Sequence, residues 1–216
     1  IGKKEQEKAQ KSGAQLETVL IIFAVAMMII SLTCTRPLLG AIFGHVEESV
    51  MESAILYFMV TSVSFPFLGL YNAGAAIFRS TGNSAISMKI SILMNIINVT
   101  GNAIFVFVCK WTVFGVAFAT LLSRIAAGFA MTALVCGKTN PIRIKRMSEF
   151  KPDGGIIRKI LTIGIPSGIE NGMFQIGKLS VTSMVSTFGT ASIAANSVGY
   201  TIIDFANIPG SAMGLA

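Results

Sequence analysis

The sequence predicts an all-α integral membrane protein, a polytopic helical bundle with six transmembrane helices. Of its 216 residues 53% are hydrophobic and only 12% charged, against roughly a quarter charged in a soluble domain. The mean hydropathy is +0.72. Six apolar runs of about 20 residues are each long enough to cross the hydrocarbon core as a helix. Lys and Arg gather in alternate loops, as expected where positive charge is retained in the cytoplasm.

The first expected span, Leu16–Thr35, follows the charged stretch IGKKEQEKAQK and is closed by Arg36 and Pro37. After it, PLLGAIFGHVEES reads as an acidic external turn containing His45, Glu47 and Glu48, and His45 is given no function. The second and third spans, Ser53–Phe78 and Ile90–Cys109, are joined by a turn with Arg79 and Lys89. Lys110 opens the short external turn before the fourth span, Val113–Gly137. KTNPIRIKRMSEFKPDGGIIRK is the one sizeable connector, and its prolines and paired glycines argue against a continuous helix. The fifth and sixth spans are Ile160–Phe188 and Ala191–Ala216. Every basic loop then falls on the cytoplasmic side, so the formal charge of +7 reflects topology and anionic lipid, and no nucleic-acid partner is needed. The chain opens on Ile and stops within an apolar run, and is therefore expected to be a piece of a longer polypeptide. Cys34, Cys109 and Cys136 lack CxxC spacing and read as inert membrane thiols rather than disulfide or metal positions.

Polar residues inside these spans are the candidate functional groups. Ser91, Asn95, Asn98 and Asn102 recur at four, three and four residues, which places them on one face of the third helix. An amide in hydrocarbon is costly without a partner, so this face points at protein or at a water-filled cavity. Interhelical packing and the lining of a transport path both satisfy that requirement. Asn98-Val99-Thr100 matches a glycosylation sequon, but its mid-membrane position excludes that use.

In the fifth span Gly164, Gly168 and Gly172 form a smooth strip for a neighbouring helix, and Pro166 is expected to kink the chain. Asn171, Gln175, Lys178 and Thr182 make a polar stripe on the adjoining face, with Glu170 beside its lower end. Glu170 and Lys178 are about 12 Å apart along a helix axis, too far to pair, so each needs another partner or must shed its charge. Arg124 and Asp204 are the further ionisable residues assigned to spans. A desolvated carboxylate at Glu170 or Asp204 can exchange a proton near neutrality or hold a small cation such as Na⁺, or can serve in a structural salt bridge. Arg124 and Lys178 read as counter-charges. The eleven methionines and most of the fifteen phenylalanines are read as lipid-facing or core rather than as a drug-binding cage.

The order of these motifs resembles the multidrug and toxic compound extrusion (MATE) transporters. IGKKEQEKA is similar to that family's cytoplasmic connector between its second and third helices. AAIFRSTGNSAISMKISILMNIINVTGNAIFVF resembles the end of helix four and helix five, with Arg79, Gly82, Asn98 and Asn102 at family positions. GVAFATLLSRI resembles helix six, and IGIPSGIE with FGTASIAANSV resembles helices seven and eight.

The resemblance implies a fragment holding helices three to eight of a two-lobed, twelve-helix transporter. Residues 1–137 would be the connector and four helices of the N-terminal lobe, 138–159 a basic cytoplasmic link between lobes, and 160–216 the first two helices of the C-terminal lobe. The lobes' internal symmetry would not show, because helices seven and eight echo the missing helices one and two. It also implies a secondary antiporter in the cell membrane, a bacterial inner membrane, exporting drugs or organic cations in exchange for Na⁺ or H⁺. Such a protein works as a monomer in membrane lipid and without a cofactor. A flippase for lipid-linked saccharides is the alternative, and would call for a more cationic cavity than Arg124 and Lys178 supply. Family members carry coupling acids on helix seven, many of them about a turn beyond Glu170, where this chain has Phe174 and Gln175. No nucleophile–base pair, metal-ligand cluster or phosphate loop suggests an enzyme.

Overall fold

A computed structural model describes residues 3–43, 47–137 and 153–215, with side chains described for 9–43, 47–137 and 153–210. The described residues form helices and connecting turns, with no strand among them. His45 and residues 138–152, which include most of the expected basic link, lie outside the described residues.

Helix α1 covers Lys3–Thr33, so the charged opening extends the first span instead of standing apart from it. Lys, Glu, Gln and Ala are strong helix formers, and nothing in that stretch interrupts them. The expected acidic turn begins as a helix, α2, Thr35–Phe43. Pro37 is tolerated there because the first helical turn has no intrahelical use for its missing N–H.

The second expected span is two helices, α3 (Glu48–Val63) and α4 (Phe65–Ser80), bent by 47° at the break. Pro66 lacks the N–H that would bond to Ser62 and crowds that carbonyl, which favours a break at this point. Gly82, at φ 76°, turns the chain into α5, Ser84–Ala103, which continues as a π-helical turn over Ile104–Val108. Helix α6 is Thr112–Cys136. Between α5 and α6, Phe105 stacks on Trp111 with ring centroids 5.5 Å apart, and Phe118 meets both rings edge-on. Such aromatic groups suit a membrane–water interface.

Helix α7 spans Gly154–Ser186 and runs on through Pro166; the last residues assigned to the basic link are therefore its first turns. Helix α8 is Thr190–Leu215. Among the described residues three helical stretches, Ala9–Thr33, Ser84–Val108 and Thr112–Cys136, are separately long and apolar enough to span, and the bent α3–α4 pair makes a fourth if read as one span. The expected count of six is not confirmed by these helices. At 33 and 26 residues α7 and α8 have the length, but their Gly, Ser, Thr, Asn and Pro dilute the apolar content.

The chain divides into two compact units, one of Ile1–Thr35 with Ile55–Ile165, the other of Arg36–Ala54 with Pro166–Ala216. In the first, α4 packs on α1, α5 and α6, and α5 packs on α6. Its core contains Ala14, Ala75, Ile77, Phe78, Ile90, Ala127, Met131 and Val135. Small residues set the approach of these helices. A Cβ on Gly128 of α6 would stand 2.8 Å from the Phe67 carbonyl oxygen of α4, and one on Gly69 would stand 3.0 Å from the Ala24 Cβ of α1. In membranes such close backbone approach supplies the dispersion contacts that hydrophobic exclusion supplies in water.

The start of α7 is tied to α1 within this unit. Asp153 accepts a hydrogen bond from the Gly155 N–H (3.0 Å), capping the helix, and its own N–H donates to Gln15 Oε1 (3.2 Å). Lys11 Nζ donates to the same carboxylate and forms an ion pair with it. That bond, with the help of the Gly155 N–H, holds the Asp153 carboxyl below its ordinary carboxylate range.

In the second unit most α7 and α8 side chains are exposed, among them Phe174 at 77% and Phe205 at 75%. The glycine strip Gly164, Gly168 and Gly172 meets nothing within 4 Å among the described residues, so the close helix contact expected there is not made by them.

Candidate functional site

The polar groups within the helices form two separate sets. In the first unit, Asn98 projects from α5 toward α6, where its Nδ2 donates to Thr120 Oγ1 at 3.2 Å and reaches Ser123 Oγ at 3.5 Å. Asn102, one turn along, donates from Nδ2 to Asn98 Oδ1 at 3.1 Å. Thr120 and Ser123 pass their own hydroxyl protons to backbone carbonyls of α6. The chain of donors therefore runs from Asn102 through Asn98 into α6. Asn102 Oδ1 is buried and has no partner among the described residues.

The same face does not behave uniformly. Asn95 is exposed and lines a shallow groove with Ile92, Ile96, Val99 and Thr100, while Asn98 and Asn102 are half-buried. Ser91 is half-buried as well, so the four-three-four spacing identifies the face, on which Asn98 makes the side-chain hydrogen bonds to α6.

Arg124 lies near the middle of α6 and donates from a guanidinium nitrogen to Ser64 Oγ at 2.7 Å. Ser64 is fully buried at the α3–α4 break and donates its proton to the Thr61 carbonyl at 2.6 Å. Arg124 thereby holds the residue on which that bend turns. No carboxylate pairs with it among the described residues, so the expected counter-charge role has no acidic partner here.

In the second unit Lys178 of α7 donates from Nζ to Asp204 Oδ1 of α8 at 3.1 Å. Its ammonium also lies 5.4 Å from the centroid of the Tyr200 ring. Tyr200 and Asp204 stand one turn apart on α8, so both reach the same ammonium. Met173, Phe174, Gly177, Lys178, Val181 and Tyr200 line an open-sided groove of about 510 Å³ beside this pair. Lys178, expected to need a partner other than Glu170, finds one in Asp204.

Glu170 is exposed and has no ion-pair or hydrogen-bond partner among the described residues. Asn171 donates to the Ser167 carbonyl of its own helix at 2.9 Å, and Gln175 is exposed. The structure thus brings Lys178 and Asp204 together but leaves Glu170, Asn171 and Gln175 as an open polar flank. A buried acid was overlooked in the sequence. Glu17 on α1 is only 4% exposed and has no ion-pair partner among the described residues. Its signal was available, since it is an ionisable residue within the first expected span. The i, i+4 spacing of Tyr200 and Asp204 was a second unused signal.

Apolar helices of spanning length, joined by amide and charge contacts between helices, define an all-α integral membrane protein of the polytopic bundle class. The MatE family model matches residues 1–104. The chain is 22% identical over 221 residues to the "Probable multidrug resistance protein YoeA" of Bacillus subtilis, covering 100% of this chain and 47% of that protein. It is 24% identical over 216 residues to the "Probable multidrug resistance protein NorM" of Thermotoga maritima, covering 97% and 45%. Its fold matches a solved inward-facing conformation of a multidrug resistance MATE family transporter of the MOP superfamily with a TM-score of 0.81. That match is 21% identical in sequence and covers 93% of this chain and 51% of the other. The resemblance to the MATE family is thereby borne out, in sequence and in fold. The chain spans about half the length of the curated relatives it matches.

Proposed function

We propose that the full-length protein carrying this chain is a secondary antiporter of the bacterial inner membrane that exports drugs or organic cations in exchange for Na⁺ or H⁺. The observation that carries the reading is the MATE transporter fold over 93% of the chain. The "multidrug resistance" names of its relatives support it. The helices to residue 137 belong to one lobe, residues 138–159 form the cytoplasmic link and include the first turns of α7, and the rest of α7 with α8, residues 160–216, begins the second lobe. The protein works as a monomer.

Within this proposal Glu170 and Asp204 are the ion-coupling acids, and Asn98, Asn102, Asn171 and Gln175 line the path. Lys178 and Arg124 supply counter-charge. Binding of a proton or cation would shift the balance between outward- and inward-facing states by its differential affinity for the two. The flippase alternative is less favoured, because Lys178 is neutralised by Asp204 and leaves Arg124 as the one uncompensated cation of the two considered.

Reconstituted full-length protein should accumulate ethidium when a Na⁺ or H⁺ gradient is imposed across proteoliposomes. Glu170→Gln keeps the side chain's shape but removes its charge and proton exchange, so gradient-driven uptake should fall sharply while ethidium still binds in detergent. Normal coupled uptake by Glu170→Gln would remove Glu170 from the coupling role. Absence of uptake by the unmodified protein under either gradient would remove the antiporter reading.

A further inference from the structure

The Lys178 ammonium is held by a carboxylate and the face of an aromatic ring, Asp204 at 3.1 Å and Tyr200 at 5.4 Å to the centroid. A carboxylate and a π-face are the acceptors that also suit a free organic cation. The groove beside them, about 510 Å³ and walled by Met173, Phe174, Gly177 and Val181, offers apolar surface for the rest of such a molecule. The pair is also incompletely enclosed, with side chains 37% exposed at Lys178 and 63% at Asp204. An ion pair this exposed is weak, so a competing cation can displace it at modest cost.

We infer that Asp204 and Tyr200 form a cation-binding subsite which Lys178 occupies as a tethered competitor, and that an organic cation enters the groove by displacing the Lys178 ammonium. The inference rests on the organic-cation reading above and deepens it, by stating where the cation is recognised and what holds the place before it arrives. Lysine is suited to such displacement, because its ammonium is a point charge on a flexible four-carbon stem, able to swing away without leaving the helix. While Lys178 is seated the subsite carries no uncompensated negative charge, so a coupling proton or Na⁺ reaches Asp204 only once the ammonium has left. A bulky organic cation gains groove contacts as well, and those offset the loss of the lysine's own.

The test measures equilibrium binding of tetraphenylphosphonium to the purified full-length protein. Lys178→Met removes the competitor and should tighten binding roughly fivefold, the combined scale of an exposed ion pair and an exposed cation–π contact. Lys178→Arg keeps a tethered cation and should not tighten it. Asp204→Asn should weaken binding, and combined with Lys178→Met it should erase the gain. Lys178→Gln provides the same comparison if the methionine variant does not fold. Unchanged or weaker binding by Lys178→Met, or failure of both neutral variants to fold, overturns the inference in favour of a structural bridge. No binding by the unmodified protein or by any variant would instead overturn the organic-cation reading beneath it.

Discussion

The hydrogen bonds between α5 and α6 make a specific prediction about Asn98 and Asn102. Asn98→Leu removes the bond to Thr120 and the one accepted from Asn102, at 3.2 and 3.1 Å. Bonds between transmembrane helices average about 0.6 kcal/mol, and with the Asn102–Asn98 bond within α5 taken at the same scale the direct loss is about 1 kcal/mol. The greater cost falls on the group left behind, since the Asn102 amide loses its acceptor inside the bundle, at about 1–3 kcal/mol more. The single substitution should therefore destabilise by about 2–4 kcal/mol. Asn102→Leu also leaves the Asn98 Oδ1 without its donor, but it removes an oxygen that already lacks a partner among the described residues, so it should cost less, about 1–2 kcal/mol. With both residues leucine no amide is left unsatisfied, and the cost should return to about 1 kcal/mol. The double substitution is thus expected to be milder than Asn98→Leu alone. SDS unfolding of the full-length protein in bicelles, run as a double-mutant cycle, measures this. Ile96→Leu, at a site 57% exposed, serves as the neutral control. Additivity of the two substitutions within about 0.5 kcal/mol would refute the reasoning, because it would mean that the two amides do not share a bond.

Two further predictions follow from close contact and from charge. Gly128→Ala should destabilise by about 1–3 kcal/mol before any gain in helix propensity, since its Cβ would sit 2.8 Å from a backbone oxygen that cannot swing aside. Gly168→Ala meets nothing within 4 Å among the described residues and should be neutral or slightly stabilising; loss of folded protein would reveal a helix packed on that strip in the full-length protein. At the start of α7, the lowered Asp153 pKa means that the charged form is favoured in the folded state. The stabilisation is present above the ordinary carboxylate range and is lost as pH falls through the depressed folded-state value. Asp153→Asn keeps the cap but not the charge, so hydrogen exchange in the first turn of α7 should be faster in the variant at neutral pH and converge with the unmodified protein in acid; equal exchange at neutral pH would contradict a role for the Lys11 bond.

Much of the helical architecture was legible because a membrane leaves few alternatives. With no water to satisfy backbone groups in hydrocarbon, an apolar run must become a helix, and composition alone therefore establishes an all-α membrane bundle. The four-three-four recurrence of Ser91, Asn95, Asn98 and Asn102 likewise marks one face, since helical period and residue type are both written in the sequence. Where a face ends against a neighbour is not. Asn98 meets Thr120 and Ser123, with Asn102 bonded to it, while Asn95 stays exposed, because the packing of α5 on α6 decides which turn is covered. The same holds for charge. Glu170 and Lys178 drew attention as neighbours in sequence, yet Lys178 pairs with Asp204, 26 residues away on another helix. An ion pair depends on distance through space, which only the tertiary fold supplies. Local sterics could be read at Pro66, whose missing N–H divides α3 from α4, but the 47° of that bend and the Arg124–Ser64 contact that holds it depend on α6 lying alongside.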